Sequence, residues 1–217
     1  MKILLPLDKL SLPSKNNGDK IYVVLVATGS FNPPTLMHLR MFELARDALN
    51  SNGFYVIGAY MSPVNDAYKK RGLIAAEHRI KMCNLACKSS DFIMVDPWEA
   101  KQSFFQRSLT VLNRVKSFLT EGGLIRKESL KVKLVCGSDL LQSFSIPDFW
   151  IPEQVRAICK DYGVDYIKIV DELVSNQISS TRLSECISKG LSIKYLTIDE
   201  VIDYIEKQNL YLKSDDK

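Results

Sequence analysis

Short apolar runs alternate along the chain with longer segments in which apolar residues recur every three or four positions. Tyr22–Thr28 is a continuous apolar run, the pattern of a strand that is buried on both faces. Thr35–Asn50 has helical spacing and is followed by Asn52 and Gly53, a common signal for the end of a helix. The alternation continues and predicts strands at Tyr55–Met61, Phe92–Val95, Val132–Cys136 and Tyr166–Val170, and helices at Ala75–Ser89, Gln102–Leu119, Pro152–Tyr162, Ser180–Lys189 and Asp199–Gln208.

This β–α alternation predicts an α/β fold, namely a Rossmann-like doubly wound parallel sheet with helices on both faces. We expect one domain over residues 21–212, with a flexible N-terminal lead-in at 1–20 and a frayed tail at 213–217. Ligands of such sheets bind beyond the carboxyl ends of the strands. The residues that directly follow each strand are therefore the candidates for chemistry.

Composition narrows the class of protein. The chain has 217 residues, of which 46% are hydrophobic and 25% charged, with a net charge of +4 that suits a small anionic substrate. Its basic residues are dispersed and no apolar run is long enough for a bilayer, so we expect neither a nucleic-acid nor a membrane partner. The five cysteines lack C-x-x-C spacing and only two histidines occur, which predicts no metal site and a reducing, cytoplasmic or nuclear location.

The loop after the first predicted strand has the features of an anion site. Gly29 lets the backbone approach a ligand closely, and Pro33 and Pro34 stiffen a turn that leads into a helix N-terminus. His38 lies in the first turns of that helix, within reach of a bound phosphate. Taken alone it would more often be a structural residue, and the whole strand–loop–helix context favours the phosphate role. The loop is neither a dinucleotide fingerprint nor a Walker A loop.

The string GSFNPPTLMHLR, which spans this loop, resembles the motif of the nucleotidylyltransferase superfamily. It is most similar to the eukaryotic nicotinamide mononucleotide adenylyltransferases. The resemblance implies adenylyl transfer from ATP to nicotinamide or nicotinic acid mononucleotide in NAD biosynthesis, with Mg²⁺ carried on ATP. It further implies that Gly29, Ser30 and Phe31 line the dinucleotide site, and that His38 binds the ATP phosphates and is catalytic.

A cationic segment follows the second predicted strand, with Lys69, Lys70 and Arg71 in a row. Such triplets are usually solvated, but this one lies where a clamp for a substrate phosphate is expected. The surrounding string MSPVNDAYKKRG matches the adenylyltransferase family. The resemblance makes Lys70 the catalytic lysine that holds the mononucleotide phosphate.

Aromatic residues follow two further strands. An aromatic ring at the end of a strand can stack on a pyridine ring, although Trp98 is equally well explained as a core residue. By resemblance, Trp98 lines the mononucleotide pocket, Phe105 holds a ring-stacking position and Ser108 replaces a nearby threonine. Phe149 and Trp150 match an aromatic pair at the nicotinamide end.

Two polar segments complete the ATP side. The resemblance assigns Gly137 and Asp139 to the dinucleotide, although an Asp is also a common helix cap. The segment NQISSTR opens a helix with consecutive hydroxyls, which can cradle phosphate or simply cap the helix. It supplies the remaining residues that the resemblance assigns to ATP: Asn176, Ser179, Ser180, Thr181 and Arg182.

Two departures from the family leave alternatives open. Ser184 replaces the final Arg of the family's ISSTxxR signature, and Arg182 is displaced from that position by a rotation of about 200° around a helix. The segment after Gly163 is shorter than in the family. The chain is therefore either an active enzyme or a catalytically impaired isoform that binds nucleotides or acts like a chaperone. Another small nucleotidylyltransferase is a third possibility. A homo-oligomer is compatible with the sequence.

Overall fold

A computed structural model describes residues 3–12, 20–143 and 176–212, together with residues 146, 151, 153, 170, 172 and 174. Within these residues, four parallel strands pair in the order β3-β2-β1-β4. The strands are β1 (Tyr22–Gly29), β2 (Tyr55–Pro63), β3 (Ile93–Val95) and β4 (Leu130–Leu134). The helices are α1 (Leu36–Asn50), α2 (Ala76–Ala86), α3 (Ser108–Glu121), α4 (Ser138–Ser143), α5 (Ser180–Ser188) and α6 (Asp199–Lys207).

Strand β1 lies at the centre of the sheet and is buried on both faces, as its continuous apolar sequence predicts. Val24 and Val26 pack towards α3 in one core cluster. Val23 and Leu25 point to the opposite face and pack in a second cluster with Phe42 of α1. The predicted α/β fold, with helices on both faces of a parallel sheet, is confirmed.

Helices α2, α5 and α6 form a third apolar cluster beside the sheet. Met82 of α2 contacts a group that includes Leu183 of α5 and Val201 of α6, all of them fully buried. None of the helices in the described ranges combines the length and the apolar composition needed to cross a bilayer.

The predicted start of the third helix is wrong. The sequence pattern places it at Gln102, whereas α3 begins at Ser108. The intervening residues are irregular, and the Gln102 carbonyl oxygen accepts from the Asn65 amide at 2.6 Å instead of from a helical N–H. Other boundaries differ by a few residues at most. The predicted elements Pro152–Tyr162 and Tyr166–Val170 fall almost entirely outside the described residues.

Residues 3–12, which belong to the lead-in predicted for residues 1–20, pack against the sheet. Leu5 is buried in the cluster shared with α3, and the Tyr60 hydroxyl of β2 donates to the Pro6 carbonyl oxygen at 2.7 Å. The pairing of β1 with β2 skips Ile57, whose carbonyl oxygen accepts from the Ser11 amide at 2.8 Å. The segment 3–12, the N-terminal strap, thus packs against the sheet beside α3.

Gly58 of β2 allows the strap to lie close to the sheet. A Cβ atom at this position would lie 2.6 Å from Leu10 Cδ1 and 3.4 Å from Met94 Cε. We expect Gly58→Val to lower the free energy of unfolding by about 1–3 kcal/mol, because overpacking forces the strap outward. Urea unfolding measures this effect. Since Leu10→Ala removes the obstructing atom, Gly58→Val should cost less on that background. Equal costs on both backgrounds would contradict the packing argument.

Candidate active site

A cavity of about 1110 Å³ opens at the carboxyl edge of the sheet. Its lining includes a residue from just beyond each strand: Ser30 after β1, Val64 after β2, Glu99 after β3 and Gly137 after β4. This is the position at which doubly wound sheets bind ligands. The cavity also brings together most of the predicted site residues: Gly29, Ser30, Phe31, His38, Lys70, Phe105, Ser108, Gly137, Asn176, Ser179, Ser180 and Thr181.

The loop after β1 forms one wall of this cavity. Phe31 is buried and adopts a left-handed conformation with φ of 44°, which is unusual for an aromatic residue. Its ring stands edge-on to the His38 imidazole, with centroids 5.1 Å apart. A Cβ atom at Gly29 would lie 3.4 Å from the Phe31 ring, so the ring packs closely over the backbone at this position. The backbone of this loop and the His38 imidazole therefore line the same wall of the cavity.

The orientation of His38 is fixed by the start of α1. The Thr35 backbone N–H donates to His38 Nδ1 at 3.0 Å, and the Thr35 side chain caps the helix by accepting from the His38 N–H. Since Nδ1 accepts a hydrogen bond, the proton of the neutral imidazole is on Nε2. The ring lines the cavity with this tautomer. It is therefore prepared to act as a hydrogen-bond donor.

A second helix N-terminus faces the same cavity. Ser179 is the N-cap of α5, and its side chain accepts from the Arg182 N–H at 3.3 Å. The buried Ser180 hydroxyl donates to the Pro33 carbonyl oxygen at 2.7 Å, which fixes α5 to the loop after β1. The Thr197 hydroxyl, which lies between α5 and α6, donates to the next carbonyl oxygen of the same loop, that of Pro34, at 2.8 Å. Two positive helix ends thus converge on one space, an arrangement that suits a polyphosphate.

Lys70 reaches the loop after β1 from the segment that follows β2. Its Nζ atom donates to the Ser30 hydroxyl at 2.7 Å, and both residues line the cavity. Lys69 and Arg71 are exposed. The structure therefore distinguishes Lys70 from the two neighbouring cations, which the sequence pattern alone could not do.

Arg79 of α2 connects the two loops that carry Ser30 and Lys70, and the sequence analysis missed it. Its guanidinium is fully buried and donates to three backbone carbonyl oxygens: Ile74 at 2.9 Å, Ser30 at 3.1 Å and Val64 at 2.7 Å. It also pairs with Asp66 at 2.7 Å. On the sequence, Arg79 looks like an ordinary charged residue in a helix. The sequence signal that could have indicated a role for Arg79 was its position in the helix directly after the cationic segment.

Glu99 is a second functional candidate that the sequence analysis passed over in favour of its neighbour Trp98. It is only 1% exposed, yet it lines the cavity, and Ser62 Oγ donates to its Oε2 at 3.1 Å. Burial raises the pKa of Glu99 to about 8. A carboxyl group that titrates near neutral pH inside a cavity is a candidate for ligand recognition.

One wall of the cavity is aromatic. Phe105 stacks on Tyr68, with ring centroids 5.5 Å apart, and both line the cavity. Ser108 at the start of α3 is 2.8 Å from the Thr28 hydroxyl at the end of β1. This wall offers a flat apolar surface beside hydroxyl groups. It lies in the part of the chain where the sequence predicted mononucleotide contacts.

Trp98 does not line this cavity. It packs against the core cluster that contains α3, and it lines a separate cleft with Arg114, whose guanidinium lies 5.0 Å from its ring centroid. Arg114 also pairs with the fully buried Asp96. The turn after β3 thus directs Glu99 into the cavity and Trp98 away from it. The predicted contact of Trp98 with the mononucleotide has no support from this placement.

The remaining predicted residues divide into two groups. Arg182 is exposed and does not line the cavity, whereas Ser184 donates back to the Thr181 carbonyl oxygen at 2.9 Å within α5. The Asp139 side chain lies outside what the structure describes, and so do Phe149 and Trp150.

Comparison with known proteins agrees with the geometry. The sequence profile of the Cytidylyltransferase-like family matches residues 26–185. A nicotinamide/nicotinic acid mononucleotide adenylyltransferase from Arabidopsis thaliana is 61% identical over 235 aligned positions, which cover 97% of this chain and 98% of the relative. The chain belongs to the nicotinamide/nicotinic acid mononucleotide adenylyltransferase family.

Two further comparisons concern the family and the fold, respectively. The Oryza sativa subsp. japonica protein of the same name is 54% identical, and the alignment covers 99% of this chain and 96% of that protein. A solved structure of Plasmodium falciparum nicotinic acid mononucleotide adenylyltransferase, complexed with NaAD, has a TM-score of 0.58 at 19% identity. It covers 88% of this chain and 97% of the solved chain, and shows that the two share a fold.

The alignment with the Arabidopsis thaliana protein also shows a difference in chain length. It extends over 235 positions for the Arabidopsis thaliana adenylyltransferase, more than the 217 residues of this chain, so the relative has residues that this chain lacks. This is consistent with the short segment noted after Gly163. The match nevertheless continues through the ISST segment, because the family profile extends to residue 185.

Protein ligands for a metal ion are few in this adenylyltransferase. Among the described residues, no group of three or more His, Cys, Asp and Glu side chains is arranged to hold a metal. Of the carboxylates in the described residues, Glu99 and Glu172 line the cavity, and Glu172 is paired with Arg40 at 2.8 Å. The donor set of the described residues thus does not fit a metal ion bound by protein alone.

Proposed function

We propose that this chain transfers the adenylyl group of ATP to nicotinamide mononucleotide or nicotinic acid mononucleotide, in the cavity at the carboxyl edge of the sheet. The products are NAD, or its acid counterpart deamido-NAD, and pyrophosphate, so the enzyme acts in NAD biosynthesis. The observation that carries the proposal is the convergence of two helix N-termini, His38 and Lys70 on one cavity. Four positive or donating elements at one point suit a reaction between two phosphate groups.

The reaction is a displacement at phosphorus that needs no protein nucleophile. A phosphate oxygen of the mononucleotide attacks the α-phosphorus of ATP, and the bond from that phosphorus to the bridging oxygen of pyrophosphate breaks. The protein positions the two reactants and stabilises the charge that develops. The N-terminus of α5, with Ser179 and Thr181, and the imidazole of His38 hold the triphosphate. Lys70 holds the attacking phosphate.

Adenylyl transfer from ATP generally uses a divalent cation, and we propose Mg²⁺. Since the described residues do not form a metal site of their own, the ion enters as part of the substrate, bound to the ATP phosphates and water. The aromatic wall of Phe105 and Tyr68 takes the pyridine ring of the mononucleotide.

One experiment tests the proposal directly. The purified chain is mixed with ATP, Mg²⁺ and nicotinamide mononucleotide, pyrophosphate release is followed, and the dinucleotide is identified by chromatography. Turnover at rates typical of enzymes, about 1–10³ per second, supports the proposal. Binding of the mononucleotide to a folded chain without pyrophosphate release would instead support the nucleotide-binding or chaperone-like isoform, which Ser184 and the short segment after Gly163 favour. A substrate panel separates the remaining alternative, another small nucleotidylyltransferase.

Lys70 provides a sharper test of which loop holds the mononucleotide. We expect Lys70→Ala to raise KM for the mononucleotide by about 10- to 100-fold, because one charge-assisted contact to phosphate is lost. KM for ATP should change little. Lys69→Ala is the matched control, since that side chain is exposed and adjacent. Equal effects of the two variants on KM would contradict the assignment of Lys70.

A further inference from the structure

Glu99 is a buried acid with unused hydrogen-bonding capacity. Its carboxyl group follows β3, it is 1% exposed, and the hydrogen bond from Ser62 to Oε2 is its only one among the described residues. It nonetheless lines the cavity. A buried polar group normally has its partners within the protein, so that a group with spare capacity at a cavity wall is suited to a ligand.

The position of Glu99 in the cavity indicates which part of a ligand it meets. It lies in the connection between β3 and α3, which also carries Phe105, one of the two residues of the aromatic wall. The walls that face phosphate, with His38 and Ser179, come from the starts of α1 and α5 instead. Under the proposed function, the aromatic wall takes the pyridine ring. The group attached to that ring is the one part in which the amide and the acid mononucleotide differ.

We propose that Glu99 contacts the carboxamide or carboxylate on the pyridine ring and sets the preference between the two mononucleotides. This inference rests on the proposed function. The carboxamide has both a donor and an acceptor, so it can bond to Glu99 whether that group is protonated or ionised. The carboxylate has only acceptors, and it can bond only to the protonated form. The ionised form would repel it.

The surroundings of Glu99 allow both forms near neutral pH. Burial raises the pKa of Glu99 to about 8, and the negative charge of Asp96 raises it further. The Ser62 hydrogen bond and the positive charge of Arg79 act in the opposite direction. Arg114 of α3 pairs with Asp96 and reduces the influence of that carboxylate. Below this pKa both mononucleotides are expected to bind. Above it, use of the acid should fall while use of the amide is retained.

The test is the ratio of kcat/KM for the acid mononucleotide to that for the amide, measured from pH 6.5 to pH 9.5. Both substrates have the same ribose and phosphate, so titrations elsewhere cancel in the ratio. We expect the ratio to be constant at low pH and to fall by about tenfold per pH unit above the pKa of Glu99. A ratio that stays constant over the whole range would overturn the inference.

Two variants assign the effect to Glu99. In Glu99→Gln the ratio should become independent of pH, because the titrating group is gone. In Ser62→Ala the fall should move to higher pH, because a hydrogen bond that favours the ionised form is lost. An unchanged pH profile in both variants would overturn the proposal. Failure of the proposed function has a different signature, since neither mononucleotide would then give a dinucleotide at any pH.

Discussion

Replacing His38 with alanine is expected to lower kcat by about 10²–10³-fold, the loss typical when a single donor to developing charge is removed. The imidazole is held by the Thr35 N–H with its proton on Nε2, at the edge of the space where the α1 and α5 N-termini converge. A donor that is positioned in advance stabilises the transition state without further reorganisation. Steady-state rates of pyrophosphate release under saturating ATP and mononucleotide provide the measurement.

The control for His38 must separate catalysis from helix capping, because Nδ1 is also part of the cap of α1. In His38→Asn, the side-chain oxygen can still accept from the Thr35 N–H, so that the cap is largely retained. If the two variants are equally slow and both unfold cooperatively, the loss belongs to the imidazole. A His38→Ala protein that keeps full turnover would refute the catalytic role.

Substitution of Arg79 by methionine is expected to lower the free energy of unfolding by about 3–5 kcal/mol, because three carbonyl oxygens lose a charged donor at roughly 1–3 kcal/mol each. The methionine fills similar space, but the carbonyl oxygens of Ser30, Val64 and Ile74 lose their donor. Each such group that stays buried without a partner is costly. Turnover should fall as well, since the same guanidinium holds the loops that carry Ser30 and Lys70 in place.

Denaturant unfolding of Arg79→Met, together with Arg79→Lys, tests this expectation. The lysine keeps the charge but cannot span the three carbonyl oxygens with a fixed fork, so it should restore only part of the stability. Arg126→Met is the matched control, because Arg126 is exposed. A loss for Arg79→Met that does not exceed the loss for Arg126→Met would show that the buried network contributes little.

The central strand and the loop that follows it could be predicted from sequence because their signals are local. A continuous apolar run defines β1, and the glycine and prolines of the next segment lead directly into a helix. His38 and Lys70 lie on such segments, beside strand ends that the apolar pattern locates. Their presence at one cavity follows from the parallel arrangement of the strands.

Features that depend on contacts between distant segments could not be predicted in this way. Glu99 and Trp98 are neighbours on a turn, and only tertiary packing decides which of them faces the cavity. Arg79 has the sequence context of a solvent-exposed helical residue, and its burial depends on three carbonyl groups from two loops. The start of α3 was misplaced because Asn65, which is remote in sequence, holds the preceding turn.

The docking of α5 onto the loop after β1 restricts which changes in chain length this protein can accept in evolution. The contacts of Ser180 with Pro33, of Thr197 with Pro34, and of the Leu36 amide with the Leu196 carbonyl oxygen join two segments that are far apart in sequence. These contacts hold the phosphate-facing end of α5 at one end of the segment and anchor the other end at Thr197. The number of residues from Ser180 to Thr197 is therefore under geometric constraint in the evolution of this protein, because both ends must meet the same turn of two prolines.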